Sequence, residues 1–275
     1  MTMSIRTNLS SLNAQRNLFQ TGVQLESSLS KLSSGYRITK AGDDAAGLAI
    51  SSNFEAQIKS YNQASRNAQD GLSMVQTAEG GLNEVTNILS RLRELAMQSA
   101  SDGVTDTERG YIQEESDVLT DEIDRIANAT EFNNTKLLNS GAGTLVFQVG
   151  IRNNAANDQL SVATVDATTN NLGVNGLDVS TRGAADTALD DIDAAIESVS
   201  SMRSGFGAAG NRLSSAVSTI QTASESLSAA NMRIRDVDVA EETSKMARAN
   251  VLMQAGVSVL AQANQAPQMA LKLLG

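Results

Sequence analysis

Residues 188–237 read ALDDIDAAIESVSSMRSGFGAAGNRLSSAVSTIQTASESLSAANMRIRDV, and their spacing decides the fold. Steps of four and three pick out Ala188, Ile192, Ala195, Val199, Met202, Phe206, Ala209, Leu213, Ala216, Ile220, Ala223, Leu227, Ala230, Ile234 and Val237, and all fifteen are apolar. A mean repeat of about 3.5 residues, slightly short of the helical 3.6, keeps a stripe on one side only of a helix that winds around a partner. At about 1.5 Å per residue the stripe runs for roughly 75 Å. The expectation is an elongated, mainly α-helical rod.

Working outward, four further segments carry helical apolar spacing. Ile5, Leu9, Leu12, Phe19 and Val23 open the chain, and Leu72 through Ala96 repeat the three-four alternation. Ile112, Leu119, Ile123 and Ile126 form a third segment. At the end, Val239, Met246, Met253, Leu260 and Leu274 fall on a seven-residue repeat, with Val257 and Leu271 on adjoining rows. The phase slips near Arg235–Asp238, which predicts a joint between two coiled-coil layers. Between 141 and 182 the helical period gives way to GTLVFQVG and DQLSVATV, separated by Asn- and Gly-rich turns. That pattern predicts a small β-hairpin region in mid-chain, with N- and C-terminal helices paired.

Composition narrows the function. Aromatic residues make up 3% of 275, Trp is absent and Pro267 is the one proline, as suits long helices packed through small side chains. A formal charge of -10 disfavours a nucleic-acid surface, which needs clustered Lys and Arg. Without Cys or His the chain lacks a thiolate ligand, a thiol nucleophile and the usual proton shuttle. No catalytic, cofactor or metal site is expected. The first residues carry no apolar core of signal-peptide length and no segment has the apolar length for a membrane helix, so export without a cleaved signal and no membrane insertion are expected.

Three motifs invite chemistry and are better read as structure. Gly205–Gly210 matches G-x-G-x-x-G, but no strand precedes it and Phe206 and Ala209 belong to the stripe. Close helix contact or a soft point suits it better. Asp43 and Asp44 in KAGDDAAG could pair for acid–base work or hold a cation, yet a turn followed by a helix N-terminus explains them more simply. Asp236 and Asp238 receive the same reading. Around Arg91, Arg93 and Glu94 a solvated helix face and a partner surface both remain open.

LSSGYRITKAGDDAAGLAIS at 32–51, ASRNAQDGLSMVQTAEGGLNE at 64–84 and SRLRELAMQSAS at 90–101 closely resemble the N-terminal region of bacterial flagellin. RIRDVDVAEE at 233–242 and QAGVSVLAQANQAPQMALKLL at 254–274 resemble its C-terminal region. The resemblance implies a minimal flagellin of two layers. Residues 1–42 with 236–275 would form an inner terminal coiled coil lining the filament channel, and 43–235 a rod with the hairpin region. It implies self-polymerisation into the secreted flagellar filament, export by the flagellar type III apparatus, a chaperone at the C-terminal helix, and contact with filament cap and hook-junction proteins. It also implies recognition by Toll-like receptor 5, whose contact positions fall on Arg91, Leu95 and Glu115. A hook-filament junction protein and a cytoplasmic coiled-coil scaffold are the competing readings. The first would favour a large unrelated middle; the second leaves the terminal motifs unexplained.

Overall fold

The computed structural model describes residues 7–139 and 143–274, with side chains through 265. Five of its helices are long: α1 (Leu9–Ser34), α2 (Ala45–Ser99), α3 (Asp106–Ala129), then α6 (Arg182–Arg235) and α7 (Val239–Leu274). Between α3 and α6 lie β1 (Glu131–Phe132), β2 (Thr135–Lys136), β3 (Thr144–Gln148), α4 (Ala155–Asp158), β4 (Gln159–Ala163) and α5 (Thr169–Leu172). The protein is mainly α-helical with small antiparallel hairpins in the middle of the chain.

Each long helix has a local reason to start. Asn8 accepts the Ser11 amide at 3.1 Å ahead of α1, and Asp44 Oδ1 accepts the Gly47 amide at 2.8 Å ahead of α2. Thr105 and Glu108 form a reciprocal capping box on α3. Asp238 Oδ1 accepts from the amides of Ala240 at 2.9 Å and Glu241 at 3.1 Å to open α7. Gly35, at φ 75, ends α1 in the left-handed region and donates to the Lys31 carbonyl at 2.9 Å.

The chain folds as two compact units. One comprises residues 57–225, the other residues 1–56 together with 226–275. In the first, a continuous core joins α2, α3 and α6: Val75, Ala78, Leu82, Val85, Leu89 and Leu92 meet Ile112 and Ile123 from α3 and Ile192, Val199, Phe206 and Leu213 from α6. Ile192, Val199 and Leu213 are fully buried, Phe206 and Ile220 nearly so, and Met202 half-buried. No member of the fifteen-residue stripe is exposed, although burial slackens beyond Ile220, where Leu227 and Ile234 are half-buried. The helix itself stops at Arg235, so Val237 lies past its end.

Two features depart from the spacing-based reading. α2 begins at Ala45, well before the stripe at Leu72, because its first half buries Ser51, Ala64 and Ala68 rather than bulky residues. The β region also starts earlier than 141. Glu131–Phe132 pairs with Thr135–Lys136 across Asn133 and Asn134, both at positive φ, 48 and 63. Two consecutive left-handed residues make the tight hairpin turn that Asn tolerates. The expected second hairpin is present, with Thr144 opposite Ala163 and Gln148 opposite Gln159; residues 141 and 142, the start of the expected region, lie outside the described ones.

Both hairpins rest on α2 at glycines. A Cβ at Gly81 would sit 2.7 Å from Leu138 Cδ1 and from Thr130 Oγ1, and one at Gly71 would sit 3.1 Å from the Phe147 ring. Gly81 admits a Cβ only by displacing those side chains, and Gly71 only if the Phe147 ring gives by a few tenths of an ångström.

Candidate assembly surface

Within the unit formed by the chain ends, α1 and α7 pack antiparallel along their length. Asn8 Nδ2 donates to the Ala263 carbonyl at 2.8 Å, Ser11 Oγ to Asn264 Oδ1 at 2.8 Å, and Ser28 Oγ to Glu242 Oε1 at 2.7 Å. The residues buried between them are small or polar: Ser11, Ser28, Glu242 and Ala249. Gly256 comes close to Leu18, with room for a Cβ 3.4 Å from Leu18 Cδ1.

Other bulky apolar residues turn outward. Phe19 is 72% exposed, Leu9 69%, Val239 60% and Val257 55%. Leu12, Val23, Leu29, Val251 and Leu252 are exposed as well, while Met246, Met253 and Leu260 are half-buried. Ile5 lies outside the described residues, as do the side chains of Leu271 and Leu274. The α1–α7 seam is therefore mixed: Leu18, Leu25, Leu32, Met246, Met253 and Leu260 lie half-buried along it at three-four spacing with the small and polar residues, whereas Leu9, Leu12, Phe19, Val23, Val239 and Val257 of the expected set are exposed. Bulky apolar residues exposed in this number on a paired helix mark a surface that another molecule covers.

At the other end of this unit the segments after α1 and after α6 cross. Tyr36 and Asp236 form an antiparallel bridge, with the Arg37 amide donating to the Arg235 carbonyl at 2.6 Å and the Val237 amide to Gly35 at 3.0 Å. The Arg235 guanidinium lies 4.2 Å from the Tyr36 ring centroid and pairs with Glu55. The phase slip near Arg235–Asp238 coincides with this crossing.

The acidic pairs singled out in the sequence are absorbed by backbone. Asp43 Oδ2 accepts from Thr39 N, Thr39 Oγ1 and Lys40 N, each at 3.0 Å, and the two backbone amides hold its carboxyl below the ordinary aspartate value. Asp44 and Asp238 are the helix caps already described. Gly205–Gly210 lies inside α6, where a Cβ at Gly205 would meet open space and one at Gly210 would touch Val75 at an ordinary 3.6 Å.

On the 57–225 unit, Arg91 donates from Nη2 to Glu115 Oε1 at 2.8 Å and from Nη1 to Glu94 Oε2 at 3.0 Å. These hydrogen bonds raise its pKa further above the free guanidinium value. Arg93 pairs with Asp193 at 2.6 Å and lowers that carboxyl. Arg91 and Glu115, which lie on different helices, thus come together on an exposed surface. Leu95 does not join them: it is 2% exposed and contributes to the core, since the residue four along from Arg91 points toward α3 and α6.

Sequence spacing gave no sign of Arg109. Its buried guanidinium donates to the Ser99 and Ser101 carbonyls, each at 2.9 Å, and to Asp106 at 2.9 Å, satisfying the open carbonyls at the end of α2. Glu242 was equally hidden. An isolated acidic residue near a helix start reads as a cap, and nothing local marks it as buried.

Two paired terminal helices that leave bulky apolar residues exposed, in one chain with a helical unit carrying mid-chain hairpins, define a subunit built to be covered by other molecules. Family models place the class. The bacterial flagellin N-terminal helical region matches residues 5–142 and the bacterial flagellin C-terminal helical region matches 189–274. The chain belongs to the bacterial flagellin family. It is 44% identical to a flagellin of Halalkalibacterium halodurans, over 99% of this chain and 100% of that one, and 43% identical to a flagellin of Bacillus subtilis with the same coverage. The crystal structure of Bacillus cereus flagellin is similar to it at 31% identity and TM-score 0.51, covering 56% of this chain and 88% of that one.

Proposed function

We infer that the chain is a structural subunit that polymerises with copies of itself into the bacterial flagellar filament, serving swimming motility. The observation that carries the mechanism is the orientation of the terminal helices. Their bulky apolar residues are exposed on the single chain, so the hydrophobic stabilisation of the ends becomes available only when neighbouring copies cover them, at roughly 25 cal/mol for each Å² removed from water. A heterologous contact of this kind repeats without closing and generates an open helical array.

In this reading residues 1–42 with 236–275 form the inner layer around the channel, and 43–235 the outer one. The subunit is exported without a cleaved signal by the flagellar type III route, with a chaperone on the C-terminal helix and cap and hook-junction proteins as further partners. No described helix is long and apolar enough to cross a membrane. Seeding purified chain with short filament fragments tests the reading: filaments lengthening in electron micrographs support it, and discrete soluble oligomers under every seeding condition overturn it.

A second partner follows from Arg91 and Glu115, brought to 2.8 Å from positions 24 residues apart. Recognition by Toll-like receptor 5 would use this exposed pair, with Leu95 acting from beneath by supporting the helix. Purified chain is expected to activate a receptor reporter and Arg91→Ala to weaken that response; an unchanged response removes Arg91 from the contact.

A further inference from the structure

Between α5 and α6 the chain runs without regular structure and is fastened to the 57–225 unit at intervals. Val174, Leu177 and Val179 are buried. Gln113 of α3 clasps the main chain there, donating from Nε2 to the Leu177 carbonyl at 2.8 Å and accepting the Val179 amide on Oε1 at 2.6 Å, while the Ser99 hydroxyl donates to the Val179 carbonyl. Asn175 and Gly176, between the first two anchors, are exposed. Neither the Asn175 side chain nor the Gly176 N–H has a hydrogen-bond partner among the described residues. Gly176 sits at φ 71, in the left-handed region that favours glycine, so the turn itself calls for glycine after this asparagine. It is the one Asn-Gly pair in the sequence.

We propose that Asn175 is a site of spontaneous covalent modification, deamidating through the Gly176 nitrogen, and that the isoaspartate this produces unfastens the segment from the core. The Gly176 nitrogen gives its proton to solvent base and attacks Asn175 Cγ, unhindered because its own residue has no Cβ. The bond from Cγ to the side-chain nitrogen breaks, ammonia leaves with a proton from solvent, and a five-membered succinimide remains. One water then opens the ring. Attack at Cγ gives aspartate, whereas attack at the main-chain carbonyl gives isoaspartate, with the chain rerouted through Cγ. Overall one water is consumed and one ammonia released, with no oxidation or reduction.

The two products differ in what they do to the fold. Aspartate adds a carboxylate to a cleft already bordered by Asp178 and Asp191 and leaves the path of the chain unchanged. Isoaspartate inserts an extra backbone atom between Val174 and Leu177. With both anchors buried and the Gln113 clasp directly beyond, the added length must pull one of them out of a close-packed interior. Every group involved lies within residues 57–225, so the reaction belongs to the single chain and does not depend on assembly.

Incubating the full chain at mildly alkaline pH in heavy-oxygen water tests the site. Trypsin cutting after Arg152 and Arg182 releases residues 153–182, in which Asn153, Asn154, Asn157, Asn170 and Asn171 serve as internal references. Fragment masses are expected to place the conversion of amide to acid, with one heavy oxygen, at 175 before any reference, and isoaspartyl methyltransferase should label the same peptide. Asn175→Gln should remove both signals. No conversion at 175, or conversion no faster than at the references, overturns the site. For the structural consequence, the isoaspartate-bearing chain is separated by chromatography and unfolded in urea beside Asn175→Asp, which carries the same charge on an unaltered backbone. Isoaspartate is expected to shift unfolding to lower urea while Asn175→Asp unfolds with the parent; an isoaspartate-bearing chain that unfolds together with Asn175→Asp overturns the unfastening.

Discussion

Glycine has opposite meanings at two places in this chain, and the difference is steric. At Gly81 a Cβ would sit 2.7 Å from Leu138 Cδ1 and Thr130 Oγ1, so Gly81→Ala must displace these two side chains, which flank the first hairpin and of which Leu138 is fully buried. At Gly205 the same atom meets nothing within 4 Å and the residue is mid-helix. Gly205→Ala is therefore expected to stabilise the protein by about 0.5–1 kcal/mol, the helix-propensity difference, while Gly81→Ala destabilises it. Urea unfolding followed by circular dichroism reads both, and equal shifts of the same sign would refute the distinction. The sequence shows glycines at both positions, yet only the neighbour across the helix interface separates a required gap from an idle one. Leu95 shows the same limit: its apolar character is legible in the sequence and its burial is not, because that depends on what α3 and α6 place over it.

Helices here are fixed at their ends by particular side chains. Arg109 takes three acceptors at the turn from α2 to α3, two of them main-chain carbonyls, those of buried Ser99 and of Ser101. Arg109→Ala should cost about 1–3 kcal/mol in chemical denaturation, and Arg109→Lys should recover little, because one ammonium does not reproduce a fork-shaped donor. At the start of α7 the Glu242 carboxyl is held below its ordinary value of 4.5, chiefly by the Ser28 hydroxyl working against burial. A carboxyl lowered by folding contributes stability above its unfolded pKa, and that contribution is lost as pH falls through the folded value. Docking of α1 on α7 should therefore weaken on acidification below about 4.5, and Glu242→Gln should flatten this dependence when helix exchange or melting is followed against pH. An acid limb as steep in Glu242→Gln as in the parent would assign the effect to other carboxyls. The long elements were readable because helix–helix burial follows the period of the helix. The Asn133–Asn134 hairpin went unread for want of flanking strands long enough to show alternation, and the first half of α2 because its buried residues are small.

On the scale of the whole molecule, two compact units of very different character share one chain. Residues 57–225 bury a continuous apolar core, whereas the unit made by the chain ends fully buries few large apolar residues beyond Ile38, burying Ser11, Ser28, Ser51, Ala249 and Glu242 instead, and leaves Leu9, Phe19, Val239 and Val257 exposed. The apolar stripes of the ends were legible in the sequence from their spacing. Which side of the helix pair they occupy was not, because a helix's own periodicity does not say which of its faces meets the partner helix. The central claim is that these exposed residues are assembly contacts and contribute nothing to the fold of the subunit. Phe19→Glu tests it most directly, in seeded filament growth measured beside thermal unfolding of the soluble chain: an unchanged unfolding transition with growth abolished is the predicted result, and filaments growing at the parent rate would contradict the account.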